Sequence, residues 1–170
     1  MNAMVKTLNQ LPADEAQAAF IRCCGASRWA SRMVTRRPYP NLDSILQVAD
    51  DAWSAMEHED FLEAFSHHPK IGASLESLKE KFAPTKTWSS NEQESVASAS
   101  DETILALRDG NVAYEERYGF IFIVCATGKS AEEMLEILNS RMHHAYDEEI
   151  RIAAKEQAKI TRLRLEKLEL

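Results

Sequence analysis

Glycine and proline are scarce in this 170-residue chain, five of each. A loop-rich all-β protein would spend many more at its turns, so helices are the expected material. Cysteine is scarcer still. Cys23, Cys24 and Cys125 are an odd set without metal-ligand spacing. Adjacent cysteines rarely bridge each other, so a reduced, cytoplasmic protein is expected. Long apolar runs are missing as well. The longest, Phe120 to Ala126, is too short to cross a bilayer, and no basic-plus-apolar leader opens the chain. Leu168-Glu169-Leu170 is not a peroxisomal address. No membrane partner is therefore expected. Nor is there an excess of positive charge: 20 Lys and Arg against 27 Asp and Glu leave a net charge of −7. With a pI near 5.3, this argues against a nucleic-acid partner, which would need concentrated basic residues. Arg28, Arg32, Arg36 and Arg37, and again Arg162, Arg164 and Lys167, read as local features.

What is present fits one domain over 1–170 with a real core: 45% hydrophobic residues, 28% charged, 19.2 kDa and a mean hydropathy of −0.37. Pro12-Ala13-Asp14-Glu15 opens a helix to about Cys24, with proline and acids in its first turn. Gly25 to Asn41 is broken by Pro38 and Pro40, with room for a short helix at Trp29 to Val34. Asn41 caps an amphipathic helix whose apolar positions are Leu42, Ile45, Leu46, Ala49, Trp53 and Met56. A helix precedes His67, and another is expected from Ser74 to Phe82. After a connector at Ala83 to Trp88, helices are predicted at about Ser90–Ala99 and Asp101–Tyr118, the latter weakened at Asp109-Gly110. Gly119 suits the position just past a helix. Ser130-x-x-Glu133 is a capping box for the next helix, through Met142, and the last helix runs from about Asp147 to Leu168. The run at 120–126 reads locally as a strand. Nothing else offers it a sheet, so the prediction is an all-α multi-helix bundle with one buried extended segment at about 120–126.

Three stretches carry chemistry. In His67-His68-Pro69-Lys70-Ile71-Gly72, Pro69 disfavours helical geometry at His68 and Gly72 lets the chain turn away. His68 is thus an imidazole held at a helix-to-loop junction, suited to giving or taking a proton. Equally, it is a histidine beside a negative helix end. Ser89-Ser90-Asn91-Glu92-Gln93 is a second capping box, whose free N–H groups and polar side chains could also meet a polar ligand. In the last helix the inward stripe reads Ile150, Ala153, Gln157, Ile160, Arg164 and Leu168, with Arg151 and Arg162 off it. A guanidinium there needs an anion, either an internal Asp or Glu or a substrate carboxylate.

Two motifs fail on spacing. Gly128-Lys129-Ser130 follows an apolar run, but Ile123 stands where a phosphate loop needs glycine. His67-His68 and His143-His144 point about 100° apart on a helix and lack an HExxH pattern, so no metal is expected.

Taken in order, these pieces resemble the family of 2-oxo-4-hydroxy-4-carboxy-5-ureidoimidazoline (OHCU) decarboxylases, which close the uricase route from urate to allantoin. Trp29 precedes Arg37-Pro38-Tyr39, and His68-Pro69-Lys70-Ile71-Gly72 follows. Ser89 with Glu92-Gln93 comes next, then Asn111, Tyr114, Tyr118-Gly119-Phe120 and Phe122. Gly128-Lys129-Ser130 and Arg141 also fit, and Lys159-Ile160 with Leu163-Arg164-Leu165 closes the pattern. The match spans nearly the whole chain. It departs at Glu94-Ser95, where many members have Ala-Gly or Ser-Gly, and between Gly25 and Trp29, which is shorter than usual.

The resemblance implies a helical homodimer without a cofactor that converts OHCU to (S)-allantoin and CO2. It implies His68 as proton donor, with Glu92 and Arg164 completing the catalytic set. Pro69, Ser89, Ser90, Asn91, Glu92, Gln93 and the segment Phe122-Ile123-Val124-Cys125-Ala126 would contact the substrate. An extended backbone edge there would match the alternating N–H and C=O groups of a ureidoimidazoline. Alternatives are a lyase or hydrolase acting on another ureide or hydantoin-like ring, or a non-catalytic helical interaction module. Intact His68, Glu92 and Arg164 speak against the last.

Overall fold

The computed structural model describes residues 2–69 and 100–170. The helices expected at 74–82 and 90–99 lie outside these residues, as do the 83–88 connector, Lys70-Ile71-Gly72 and Ser89 to Gln93. The described residues form eight α-helices and no strand: α1 Ala3–Gln10, α2 Ala13–Cys23, α3 Ser27–Thr35, α4 Leu42–Ser54, α5 His58–Ser66, α6 Asp101–Tyr118, α7 Ala131–Arg141 and α8 Tyr146–Glu166. They divide into two compact units. One holds residues 2–68, 123–125 and 150–170; the other holds 69, 100–122 and 126–149.

Polar side chains fix the helix ends of the first unit. Asn2 caps α1, a helix without a sequence expectation, by accepting from the Met4 N–H at 2.8 Å. Asn41 caps α4 as expected, accepting from Ser44 at 2.8 Å. The Glu63 carboxylate of α5 accepts from both the backbone N–H and the hydroxyl of Ser27, each at 2.7 Å. An anion is thereby set at the N-terminus of α3, where free N–H groups and the helix dipole favour it. Arg28 reaches Asp60 at 2.8 Å and ties the same two helices again.

The motif residues Trp29, Arg37 and Tyr39 are packing and capping groups here. The fully buried Trp29 packs edge-on against Phe20 and donates its indole N–H to the Ala49 carbonyl at 3.1 Å. Burial of such a ring contributes about 1.5–3 kcal/mol. Arg37 donates to the carbonyls of Leu8 and Leu11, both at 2.8 Å, closing the C-terminal end of α1. The Tyr39 hydroxyl donates to the Met33 carbonyl at 2.7 Å. Trp53 ties α4 to α8 by donating to the Ala154 carbonyl at 2.9 Å.

In the second unit α6 is continuous through Asp109-Gly110. The reason is steric. A Cβ at Gly110 would stand 2.8 Å from a methyl of Leu138 on α7, so the missing side chain lets the two helices close. Gly119 ends α6 at φ 78°, the left-handed geometry that glycine adopts freely. Ser130 caps α7 through the Glu133 N–H at 3.2 Å.

The core of this unit contains a buried charge network that was not apparent from sequence. Arg141 Nε donates to Glu149 Oε1 at 2.6 Å, and both side chains are almost wholly buried. The Tyr114 hydroxyl donates to the same oxygen at 2.5 Å, and His144 Nδ1 lies 2.9 Å from the other. The Arg141 guanidinium also sits over the Phe122 ring, 4.7 Å from its centre. Burial first, and the bond to Glu149 second, push the Tyr114 phenol well above the usual range.

Residues 121–126 form neither helix nor strand, and Phe120, Phe122, Ile123, Val124 and Cys125 are buried. The expected buried segment without helix is present in an otherwise helical chain.

Candidate active site

The end of α5 sets the first candidate residue. His67 is the C-cap, and its N–H and that of His68 bond back to Ala64 and Phe65 at 3.2 Å each. The helix tightens into i→i+3 bonds and stops before Pro69, as the proline predicts. The two histidines then part company. His67 is exposed, whereas His68 is half-buried with its Nε2 2.5 Å from Gln157 Oε1 on α8. Gly25 makes room for this corner, since a Cβ there would stand 2.6 Å from the Cβ of His67.

Gln157 is itself fully buried and donates from Nε2 to Thr161 Oγ1 at 3.0 Å. Thr161 also acts on the Cys24 thiol beyond the end of α2, lowering its pKa against the larger effect of burial. Burial pushes both Cys23 and Cys24 up to about 11, so neither is a nucleophile near neutral pH. All three cysteines are buried free thiols.

Arg164 differs from expectation in one respect. Its angular position falls within the arc of the buried residues Ile150, Ala153, Ala154, Gln157, Thr161 and Leu165, yet the residue is exposed. A long side chain can leave a helix face and carry its charged head to water. Its Nη1 lies 3.5 Å from the Cys23 carbonyl. No carboxylate among the described residues pairs with it. Arg162, off the stripe, pairs instead with Asp50 at 3.4 Å and Glu166 at 3.6 Å. Of the two sources of an anion for Arg164, an internal ion pair is absent among the described residues.

Charge and burial act together on His68. Burial lowers its pKa from the ordinary 6.5, the Gln157 bond opposes this, and the neighbouring Arg164 and His67 lower it further. The imidazole is therefore neutral near pH 7.

The same stretch of α8 holds the non-helical segment. Glu156, next to Gln157, accepts from the Cys125 N–H at 3.1 Å. The first unit thus contains His68, Arg164 and Ile123-Val124-Cys125. Phe122, Ala126 and Pro69 belong to the second unit. Ser89, Ser90, Asn91, Glu92 and Gln93 lie outside the described residues. Gln157, Thr161 and Cys24 were not marked as site residues from sequence. The available signal was a glutamine in an otherwise apolar stripe.

Comparison with known proteins identifies the family. Residues 9–166 match the family model described as OHCU decarboxylase, and the chain belongs to that family. It is similar to the Arabidopsis thaliana protein named uric acid degradation bifunctional protein TTL, 38% identical over 147 residues. That alignment covers 86% of this chain and 45% of the plant protein, so the chain spans less than half of that relative's length. A Haloferax volcanii protein named 2-oxo-4-hydroxy-4-carboxy-5-ureidoimidazoline decarboxylase is 26% identical over 162 residues, covering 95% and 93% of the two chains. Among solved structures, an OHCU decarboxylase crystallised in the presence of (S)-allantoin superposes with a TM-score of 0.69 at 35% identity. It covers 88% of this chain and 95% of that one.

Proposed function

We propose that this protein decarboxylates 2-oxo-4-hydroxy-4-carboxy-5-ureidoimidazoline to (S)-allantoin and CO2 in urate degradation. The observation that carries the reading is His68, held by Gln157, with the charge of Arg164, which has no carboxylate partner among the described residues, acting on it, in a chain of this family.

The chemistry asks for little beyond positioning, charge stabilisation and one proton handled on one face. Loss of CO2 from the carboxylate leaves an electron pair on the carbon that bears the hydroxyl; the adjacent C=N of the ring takes it up and its nitrogen gains a proton from water. That hydroxyl then loses its proton as the ring carbonyl of allantoin forms, and the neighbouring ring carbon gains one. A neutral imidazole can accept the first proton and return it as acid to the second site. His68 fills this role, as a proton donor that is loaded during the cycle.

Arg164 binds an anionic group of the substrate. Glu92, with Ser89, Ser90, Asn91 and Gln93, hydrogen-bonds its polar edges, Pro69 contacts it, and residues 122–126 present their backbone to the ureido arm. The enzyme acts without a cofactor, as a cytoplasmic homodimer; these features rest on the family resemblance.

The test is to generate the substrate freshly from urate with uricase and the subsequent hydrolase, add the protein, and follow CO2 release. Release faster than the spontaneous reaction supports the proposal. An unchanged rate with purified, folded protein overturns it.

A further inference from the structure

We infer that Gln157 is a positioning residue that keeps the proton of resting His68 on Nε2 and so makes Nδ1 the nitrogen that works on the substrate. The inference rests on the reading of His68 as the proton-handling group.

The bonds that fix Gln157 run in one direction. Gln157 Nε2 donates to Thr161 Oγ1 at 3.0 Å, the role an amide NH2 can fill and an amide oxygen cannot. The amide oxygen is thereby turned to His68 Nε2, 2.5 Å away. An amide oxygen can only accept, so that ring nitrogen carries the hydrogen. Gln157 has no solvent exposure and cannot exchange this arrangement for water. Of the two tautomers of the neutral ring, the one with a lone pair on Nδ1 is the one this chain stabilises.

A second proton on the ring meets resistance. Among the described residues, Arg164 and His67 are the charged or titratable groups acting on His68, and both oppose it. The resting ring is therefore a base at Nδ1. It takes the substrate's hydroxyl proton there and gives it back from there, while the Nε2 hydrogen stays on Gln157 throughout.

The tautomer can be read without turnover. Protein labelled with 15N-histidine shows long-range proton–nitrogen correlations that distinguish the two ring nitrogens, and His68→Asn assigns the His68 signals among the five histidines. Wild type should show a fixed Nε2–H tautomer for His68 above its titration. Gln157→Leu should give an exchanging mixture, with kcat reduced by about 10- to 100-fold and KM little changed, the scale of losing a group that orients a functional histidine. Gln157→Glu adds a negative charge at Nε2. It should move both the titration of the His68 signals and the acidic limb of kcat/KM to higher pH, by the same amount. An Nδ1–H tautomer in wild type, or a pH profile unmoved in folded Gln157→Glu, overturns the inference. A fixed Nε2–H tautomer in a protein without decarboxylase activity would instead remove the functional reading and leave the positioning intact.

Discussion

Nε2 of His68 and Oε1 of Gln157 meet at 2.5 Å although the residues are 89 positions apart in the chain. This contact separates His68 from His67, which has the same side chain and the neighbouring position but stays exposed.

The two histidines should therefore respond differently to the same substitution. Asn cannot act as an acid or base at this pH, so His68→Asn should lose roughly 10²-fold or more in turnover. It also strands the buried amide oxygen of Gln157, at a stability cost of about 1–3 kcal/mol. His67→Asn should change turnover little. Steady-state kinetics and thermal melts of both variants check this, and a larger loss of activity at His67 would reverse the assignment.

Local signals made much of this legible in the sequence. Asn41, Ser130 and Gly119 mark helix ends, and all three do so in the structure. The absence of any partner strand identified 120–126 as a segment outside any sheet. What escaped depended on pairing across the chain. Arg141, Glu149, Tyr114 and His144 come from separate elements, and no spacing rule connects them. Gly110 read as a flaw in α6 because its reason, Leu138, lies on another helix. Arg164 was placed on the correct arc, but helical angle does not say how far a long side chain travels. Gln157 was placed in the interior without a partner, because His68 becomes its neighbour only on folding.

Gly25→Ala should damage activity through His67. The added methyl cannot coexist with the His67 Cβ in its present place, so the chain entering His68 must shift. Turnover is expected to fall by about tenfold or more, since small misplacements of a reacting group are costly. The far-UV circular dichroism should stay helical. Wild-type activity in Gly25→Ala would show that this corner tolerates movement.

The two arginines of α8 offer a paired comparison. Arg164→Ala should raise KM for the substrate, because its guanidinium has no carboxylate partner among the described residues. Arg162→Ala should stay near wild type in KM. Its exposed pairs with Asp50 and Glu166 are worth about 0–1 kcal/mol to stability. Saturation kinetics decide the matter. A severely destabilised Arg164→Ala with normal KM would make Arg164 a structural residue.

The buried pair in the second unit makes a stability prediction. Arg141→Met leaves the Glu149 carboxylate buried without its cation, and breaking such a pair costs about 3–5 kcal/mol. Replacing both, Arg141→Met with Glu149→Leu, should cost less than that single change. Urea unfolding of the two variants checks the order, and a single variant as stable as wild type would show that the carboxylate does not need its arginine.

The handedness of the product tests the central claim most directly. OHCU generated in place from urate decays spontaneously to racemic allantoin, so circular dichroism of the allantoin formed separates catalysis from decay. With the wild-type protein present, (S)-allantoin should accumulate faster than the racemate forms in its absence, and His68→Asn should abolish most of that signal. A racemic product at the spontaneous rate, from folded wild-type protein, would contradict the assignment of this chain as the decarboxylase.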